Sequence, residues 1–147
     1  MQVLCDLSIA ASTARFGQAG PKVGSFDAGF GTAYLARVVG EKRARELWYL
    51  CRLYSADEVA SWGLVNKVVA PQQLLAEARA WADEIALKAP TAIKFLKASF
   101  NADTEHQAGL SMMAAAGLKV YVDSEEAREG AAAFADKRTP DFANFAV

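Results

Sequence analysis

A serine and an aspartate lie two residues apart in a segment rich in glycine, and together they could move a proton. Residues 24–27 read Gly-Ser-Phe-Asp, so a single phenylalanine separates Ser25 from Asp27. A carboxylate under a partly closed loop can have the raised pKa that a proton shuttle needs. The same four residues are also an ordinary turn and cap pattern. The local sequence leaves both interpretations open.

The segment that carries this pair, residues 12–31, is predicted to be a functional loop. It contains Pro21 and five glycines, at positions 17, 20, 24, 29 and 31. Such a composition favours turns over regular elements. Interleaved aromatic residues, including Phe16, Phe26 and Phe30, argue against disorder.

The flanking sequence predicts the elements that must position this loop. Residues 3–11 form an apolar run typical of a buried element leading into a short central strand, and residues 64–69 are the best strand candidate. Capping-box patterns at residues 55–58 and 104–107, and acidic residues after Ser124, predict three helix starts. Pro71 is predicted to begin a helix, and Pro90 interrupts the helical pattern further on. Apolar residues at helical spacing mark further helices around Leu35, Trp48, Trp81 and Leu96.

Composition excludes several classes of function. The 147 residues include 16 Lys and Arg against 17 Asp and Glu, a net charge of -1 that favours neither nucleic acid nor an anionic membrane. No apolar stretch reaches the roughly 20 residues that span a bilayer. The N-terminus lacks a secretory pattern, and Cys5 and Cys51 have no metal-like spacing. A cytoplasmic protein without a metal is predicted.

The residues around the loop resemble a known family. Residues 16–31, then Tyr-Leu-Ala-Arg at 34–37, residues 44–52 and Lys-Arg-Thr-Pro-Asp-Phe at 137–142 are similar to the 1,4-dihydroxy-2-naphthoyl-CoA synthases (naphthoate synthases) of menaquinone biosynthesis, in the crotonase superfamily. The resemblance implies an α/β fold, the C-terminal half of a ClpP/crotonase-like unit. Residues 1–70 would complete its β/α core, and residues 71–147 would form a helical trimerisation region.

The resemblance also implies an activity. The substrate would be an acyl-CoA thioester, and the chain would assemble as a homotrimer or a dimer of trimers. Ser25 and Asp27 would orient the aromatic acyl group and move protons during a ring-closing condensation. The two amides of the oxyanion hole are expected to lie before Met1, which leaves a non-catalytic fragment or assembly module as one alternative.

At position 20 the sequence resembles the members of the family that have glycine there and use bicarbonate as the general base. Other members have an aspartate at this position as the base. By the same resemblance, Gln18 would hold the ion and the ring of Trp48 would pack beside it. Ala19 departs from the threonine common in that class, so one hydrogen bond to bicarbonate would be missing.

Two further positions qualify the resemblance. In the preferred alignment, Val122 occupies the place of the family's catalytic tyrosine, which reaches a neighbouring subunit's substrate, and Tyr121 is expected to face the opposite side of its helix. The alternative is that Tyr121 substitutes for that tyrosine. A valine cannot donate a proton. The pattern around residues 103–109 and 118–121 is also similar to the 2-ketocyclohexanecarboxyl-CoA hydrolases, which open a ring with water. That activity is the alternative within enzymes.

Basic residues near the end of the chain resemble a family tail that approaches CoA. Lys137 and Arg138 are the matching residues, although two basic residues before a turn are also typical of a solvated surface. His106, the sole histidine of the sequence, is predicted to be a solvated residue in a helix cap.

Overall fold

The protein consists of two small strand pairs and a helical remainder. The structure, a computed structural model, describes residues 2–26 and 29–145. A 3-10 helix at Gln2–Leu4 precedes strands β1 (Ile9–Ala11) and β2 (Arg15–Phe16), and a second 3-10 helix spans Pro21–Val23. The elements that follow are α1 (Phe30–Val39), α2 (Glu41–Leu50), β3 (Tyr54–Ser55), α3 (Ala56–Ser61) and β4 (Lys67–Val69). After a 3-10 helix at Pro71–Gln73 come α4 (Leu74–Ala86), α5 (Pro90–Ala102), α6 (Ala108–Tyr121) and α7 (Glu125–Ala135).

Two strand pairs frame the loop. β1 and β4 are parallel, with Ile9 opposite Lys67 and Ala11 opposite Val69. β2 pairs with β3 in the antiparallel sense, with Phe16 opposite Tyr54. The backbone amide of Ser12 extends the first pair by donating to the carbonyl of Val69 at 2.8 Å. The first residues of the loop region are therefore tied to strands 38 or more residues away in sequence.

The core lies between α1, α2 and α3. Leu35, Leu47 and Val59 are almost completely buried there. α1 and α2 pack as a helical hairpin around Gly40, whose φ of 81° is a conformation that favours glycine. α3 begins with the predicted capping box: the amide of Glu58 donates to the hydroxyl of Ser55, and the Glu58 carboxylate accepts from the amide of Ser55.

Several local predictions are confirmed and others are corrected. Ser124 caps α7 by accepting from the amide of Ala127 at 3.1 Å. The capping box at residues 104–107 is wrong, because the hydroxyl of the buried Thr104 donates to the carbonyl of Asn101 and pairs with Tyr34. The buried run at residues 3–11 is also wrong in part: a 3-10 helix replaces its start, and Leu4 and Leu7 are exposed.

The long loop has more structure than predicted. It contains β2 and the 3-10 helix at Pro21–Val23, and α1 already begins at Phe30. The strand predicted at residues 64–69 is reduced to Lys67–Val69. From β4 onward, the described residues are helical or irregular, as expected.

The middle helices are exposed along their length. α4 and α5 contain no buried residue, and α5 presents Phe95 and Phe100 with 71% of each side chain's surface accessible. Among the described residues, no helix combines the length and the apolar character that a membrane crossing requires. The domain boundary predicted near residue 70 stays a prediction, although β4 ends one residue before it.

Candidate active site

A closed turn holds Ser25 in place. The carbonyl of Gly20 accepts from the amides of Val23 and Ser25, at 3.0 and 2.9 Å. Pro21 opens the 3-10 helix within this turn with its φ already restricted, and Gly24 ends the helix at φ 67°. Ser25 follows this turn directly and is half-buried. The turn therefore fixes the backbone from which the serine hydroxyl projects.

Gly20 lies against the indole of Trp48. A Cβ added to Gly20 would lie 3.2 Å from Cζ3 of Trp48 and 2.9 Å from the carbonyl oxygen of Ser25. Trp48 is buried on α2, and its N–H, on the opposite edge of the ring from Cζ3, has no partner among the described residues. A buried N–H donor normally has an acceptor. The distances from the added Cβ show that position 20 has no room for a side chain unless the turn moves.

Gln18 lines a neighbouring cavity of about 230 Å³, which it shares with Leu47, the residue before Trp48. Its side chain is half-buried and makes no hydrogen bond within residues 2–26 and 29–145. The structure therefore places Gly20 against Trp48, and Gln18, two residues earlier in the sequence, beside the cavity.

A second groove, of about 370 Å³, begins at Phe26, the residue after Ser25. Phe26 and Phe30 line it from the loop, and Ala114 and Leu118 line it from α6. Its walls are mainly apolar, which suits a hydrophobic group with little charge. We name it the Phe26 groove. Asp27, the second half of the predicted pair, lies outside the described residues.

Tyr121 contacts this region, a feature that the sequence analysis missed. Its ring packs against Phe26 with 5.3 Å between centroids, whereas Val122 is 48% exposed on another side of the helix end. Burial and a hydrogen bond to the Glu126 carboxylate raise the pKa of Tyr121 above its usual value. The phenol therefore stays protonated near neutral pH. Position 121 follows Leu118 by three residues on α6, a spacing that could have indicated a shared face.

The basic residues near the C-terminus lie beside the start of the loop. Lys137 and Arg138 share a groove of about 370 Å³ with Lys22, Val23 and Phe134. The guanidinium of Arg138 binds Glu129 through two hydrogen bonds of 2.6 and 2.8 Å. This pairing, together with the amide of Asp141, lowers the pKa of Glu129 to about 2. Arg138 thus has a structural partner, and Lys22 is a basic residue that the prediction did not include.

Solved structures with the same fold belong to acyl-CoA enzymes. The chain superimposes with a TM-score of 0.89 on an enoyl-CoA hydratase/isomerase from Pseudoalteromonas atlantica T6c, at 29% identity over 96% of this chain and 57% of that one. An enoyl-CoA hydratase from Mycobacterium avium subsp. paratuberculosis K-10 gives 0.89 at 30% identity, over 95% and 57%. A carnitinyl-CoA hydratase from Mycobacterium avium gives 0.88 at 28% identity, over 95% and 55%. The α/β fold is therefore of the crotonase class, as predicted.

The sequence identifies the family within that class. Residues 1–144 match the model of the family described as enoyl-CoA hydratase/isomerase. The chain therefore belongs to the enoyl-CoA hydratase/isomerase family of the crotonase superfamily. It spans 57% of the length of the first relative named above.

Proposed function

We propose that this chain forms part of an acyl-CoA enzyme of the naphthoate synthase type, which closes a ring in succinylbenzoyl-CoA. The observation that carries the proposal is the contact of Gly20 with Trp48 directly beside the turn that holds Ser25. In the resemblance described above, a glycine at this place distinguishes enzymes that recruit bicarbonate from those with their own carboxylate base.

Ser25 and Asp27 have separate roles in this proposal. The Ser25 hydroxyl orients the acyl part of the substrate, since its backbone is fixed by the bond to Gly20. Asp27 moves a proton to or from the same group. Both roles rest on the resemblance, and the half-buried position of Ser25 directly before Phe26, which lines the Phe26 groove, supports its share.

Bicarbonate fits the chemistry of the residues around Gly20. The Gln18 side chain makes no hydrogen bond within the described residues, so its amide donor is available, and the apolar ring of Trp48 lies against Gly20. Gly20 itself supplies no carboxylate, unlike the aspartate that the resemblance gives to other members of the family. Gln18 would hold the ion by donating a hydrogen bond to it. When bound, bicarbonate supplies a base for removing a proton from carbon.

The Phe26 groove provides a place for an aromatic acyl group. Aromatic rings stabilise each other in tilted arrangements such as that of Phe26 and Tyr121, whose planes meet at 57°. A flat substrate ring against Phe26 or Phe30 would extend this set. CoA would enter as part of the substrate, and Lys137 stays the predicted contact for it, with Lys22 nearby.

A ring-opening hydrolase is the second candidate, and the C-terminus of α6 favours it. In the alignment that puts Val122 at the place of the synthases' catalytic tyrosine, that position is exposed and has no hydroxyl. A hydrolase uses water as the nucleophile instead of a carbon atom of the substrate, and this reaction would not need the tyrosine hydroxyl. Ketocyclohexanecarboxyl-CoA is the corresponding substrate.

Two substrates separate these candidates. The full-length protein is incubated with succinylbenzoyl-CoA and, separately, with ketocyclohexanecarboxyl-CoA, and the products are identified by mass. The proposal predicts loss of water from the first and no reaction with the second. If water is added to ketocyclohexanecarboxyl-CoA and succinylbenzoyl-CoA does not react, the hydrolase would replace the synthase as the proposed function. Inactivity towards both would favour an assembly module.

We further propose that the helical region joins copies of this chain into a trimer or a dimer of trimers. The support is α5, where Leu96 and Phe100 lie one turn apart and are 56% and 71% exposed. Exposed apolar stripes of this kind are characteristic of protein interfaces. Location in the cytoplasm stays a prediction from the sequence.

A further inference from the structure

The last helix touches the active-site turn at two glycines. A Cβ added to Gly130 on α7 would lie 2.2 Å from the nitrogen and 2.5 Å from the Cα of Gly24. In the other direction, a Cβ on Gly24 would lie 2.5 Å from the carbonyl oxygen of Ala127. All of these atoms belong to the backbone, so no side-chain rotation relieves the overlap. Main-chain atoms of the two segments are therefore in direct contact.

This contact continues into the site through a short chain of neighbours. Gly24 is followed by Ser25, whose amide is bonded to Gly20, and Gly20 lies against the buried ring of Trp48. On the other side, α7 is fixed at both ends: Ser124 caps its start, and Glu129 binds Arg138 and the amide of Asp141 beyond its end. Within the turn, α7 therefore contacts Gly24 and Trp48 contacts Gly20.

We infer that Gly130 is a positioning residue of the active site, which lets α7 hold the turn at residues 20–25 against Trp48. The inference rests on the proposed function for its catalytic consequence. Gly130 touches no substrate: it acts through Gly24 on Ser25 and Gly20. Any larger residue must open the contact by roughly 1 Å to reach an ordinary van der Waals distance.

The test is Gly130→Ala in the full-length protein, with Gly109→Ala as the matched control. Both exchanges occur within helices, but a Cβ on Gly109 has no neighbour within 4 Å. Hydrogen exchange is measured at the amides of Val23 and Ser25, which bond to Gly20, relative to the amide of Leu64, which bonds to Val59. We expect Gly130→Ala to raise the ratio of the exchange rates at Val23 and Ser25 to the rate at Leu64 by about tenfold or more. Gly109→Ala should leave this exchange ratio unchanged.

Kinetics separate positioning from a purely structural role. A displacement near 1 Å is expected to lower kcat by roughly a hundredfold with little change in KM. An unchanged exchange ratio would overturn the inference, as would a changed ratio with unchanged kcat. If Gly130→Ala does not fold, Ser124→Ala removes the cap at the start of α7 without adding atoms at the contact, and the same exchange ratio must rise. Failure of the proposed function would appear differently, as inactivity of the unsubstituted protein.

Discussion

Replacing Gly20 by alanine tests whether the turn and Trp48 leave no space for a side chain. The backbone of Gly20, at φ -46° and ψ -63°, is open to alanine, so the cost of the change is steric. The new Cβ would meet the Ser25 carbonyl oxygen at 2.9 Å, Cζ3 of Trp48 at 3.2 Å and Cα of Phe26 at 3.3 Å. Two of these three atoms are backbone. The turn must therefore shift, which is expected to cost about 1–3 kcal/mol.

The assay is urea unfolding of the full-length protein, followed by tryptophan fluorescence, together with turnover of succinylbenzoyl-CoA. Gly117→Ala is the control, because its Cβ would lie at an ordinary 3.6 Å from Phe26 Cζ. We expect the free energy of unfolding to fall for Gly20→Ala alone, with a drop in kcat. If both variants unfold at the same urea concentration as the parent and turn over equally well, the close packing of Gly20 is wrong.

Three further predictions concern a cap, an ion pair and the exposed helices. Ser55→Ala removes the acceptor for the Glu58 amide and should destabilise the protein by about 1 kcal/mol in urea unfolding, whereas Ser61→Ala at the other end of α3 should cost less. The pKa of Glu129 is lowered from 4.5 to about 2, so the pair with Arg138 stabilises the fold above pH 4.5 and is lost as pH falls towards 2. Unfolding midpoints of Glu129→Gln and its parent should accordingly differ at pH 6 and converge near pH 2; a constant difference would contradict this. Leu96→Ser with Phe100→Ser should lower the mass in light scattering, whereas Leu53→Ser, equally exposed outside α5, should not.

Local chemistry predicted the helix starts well. The capping box at Ser55 and the cap at Ser124 depend on groups within three residues, which the sequence displays directly. The same pattern failed at Thr104 because Tyr34, 70 residues away, offers its hydroxyl a partner. Long-range competition of this kind has no local signature.

The candidate site was predictable only where the family resemblance reached. That resemblance names Gly20 and Trp48 as parts of one site, and the structure has the two residues in contact. The packing of Tyr121 on Phe26 and the main-chain contact between Gly24 and Gly130 depend on how α6 and α7 fold back onto the loop. Neither helix carries a periodicity that specifies its partner, since small residues such as glycine fit many surfaces.

The most direct test of the proposed bicarbonate site is the turnover of succinylbenzoyl-CoA by the full-length protein with and without bicarbonate. We predict that turnover falls strongly when bicarbonate is removed by degassing at fixed pH, and returns when the ion is added back. A variant such as Gln18→Ala should then require more bicarbonate for half-maximal rate. Turnover that is the same in its absence would contradict the assignment of Gln18, Gly20 and Trp48 as the site of the base.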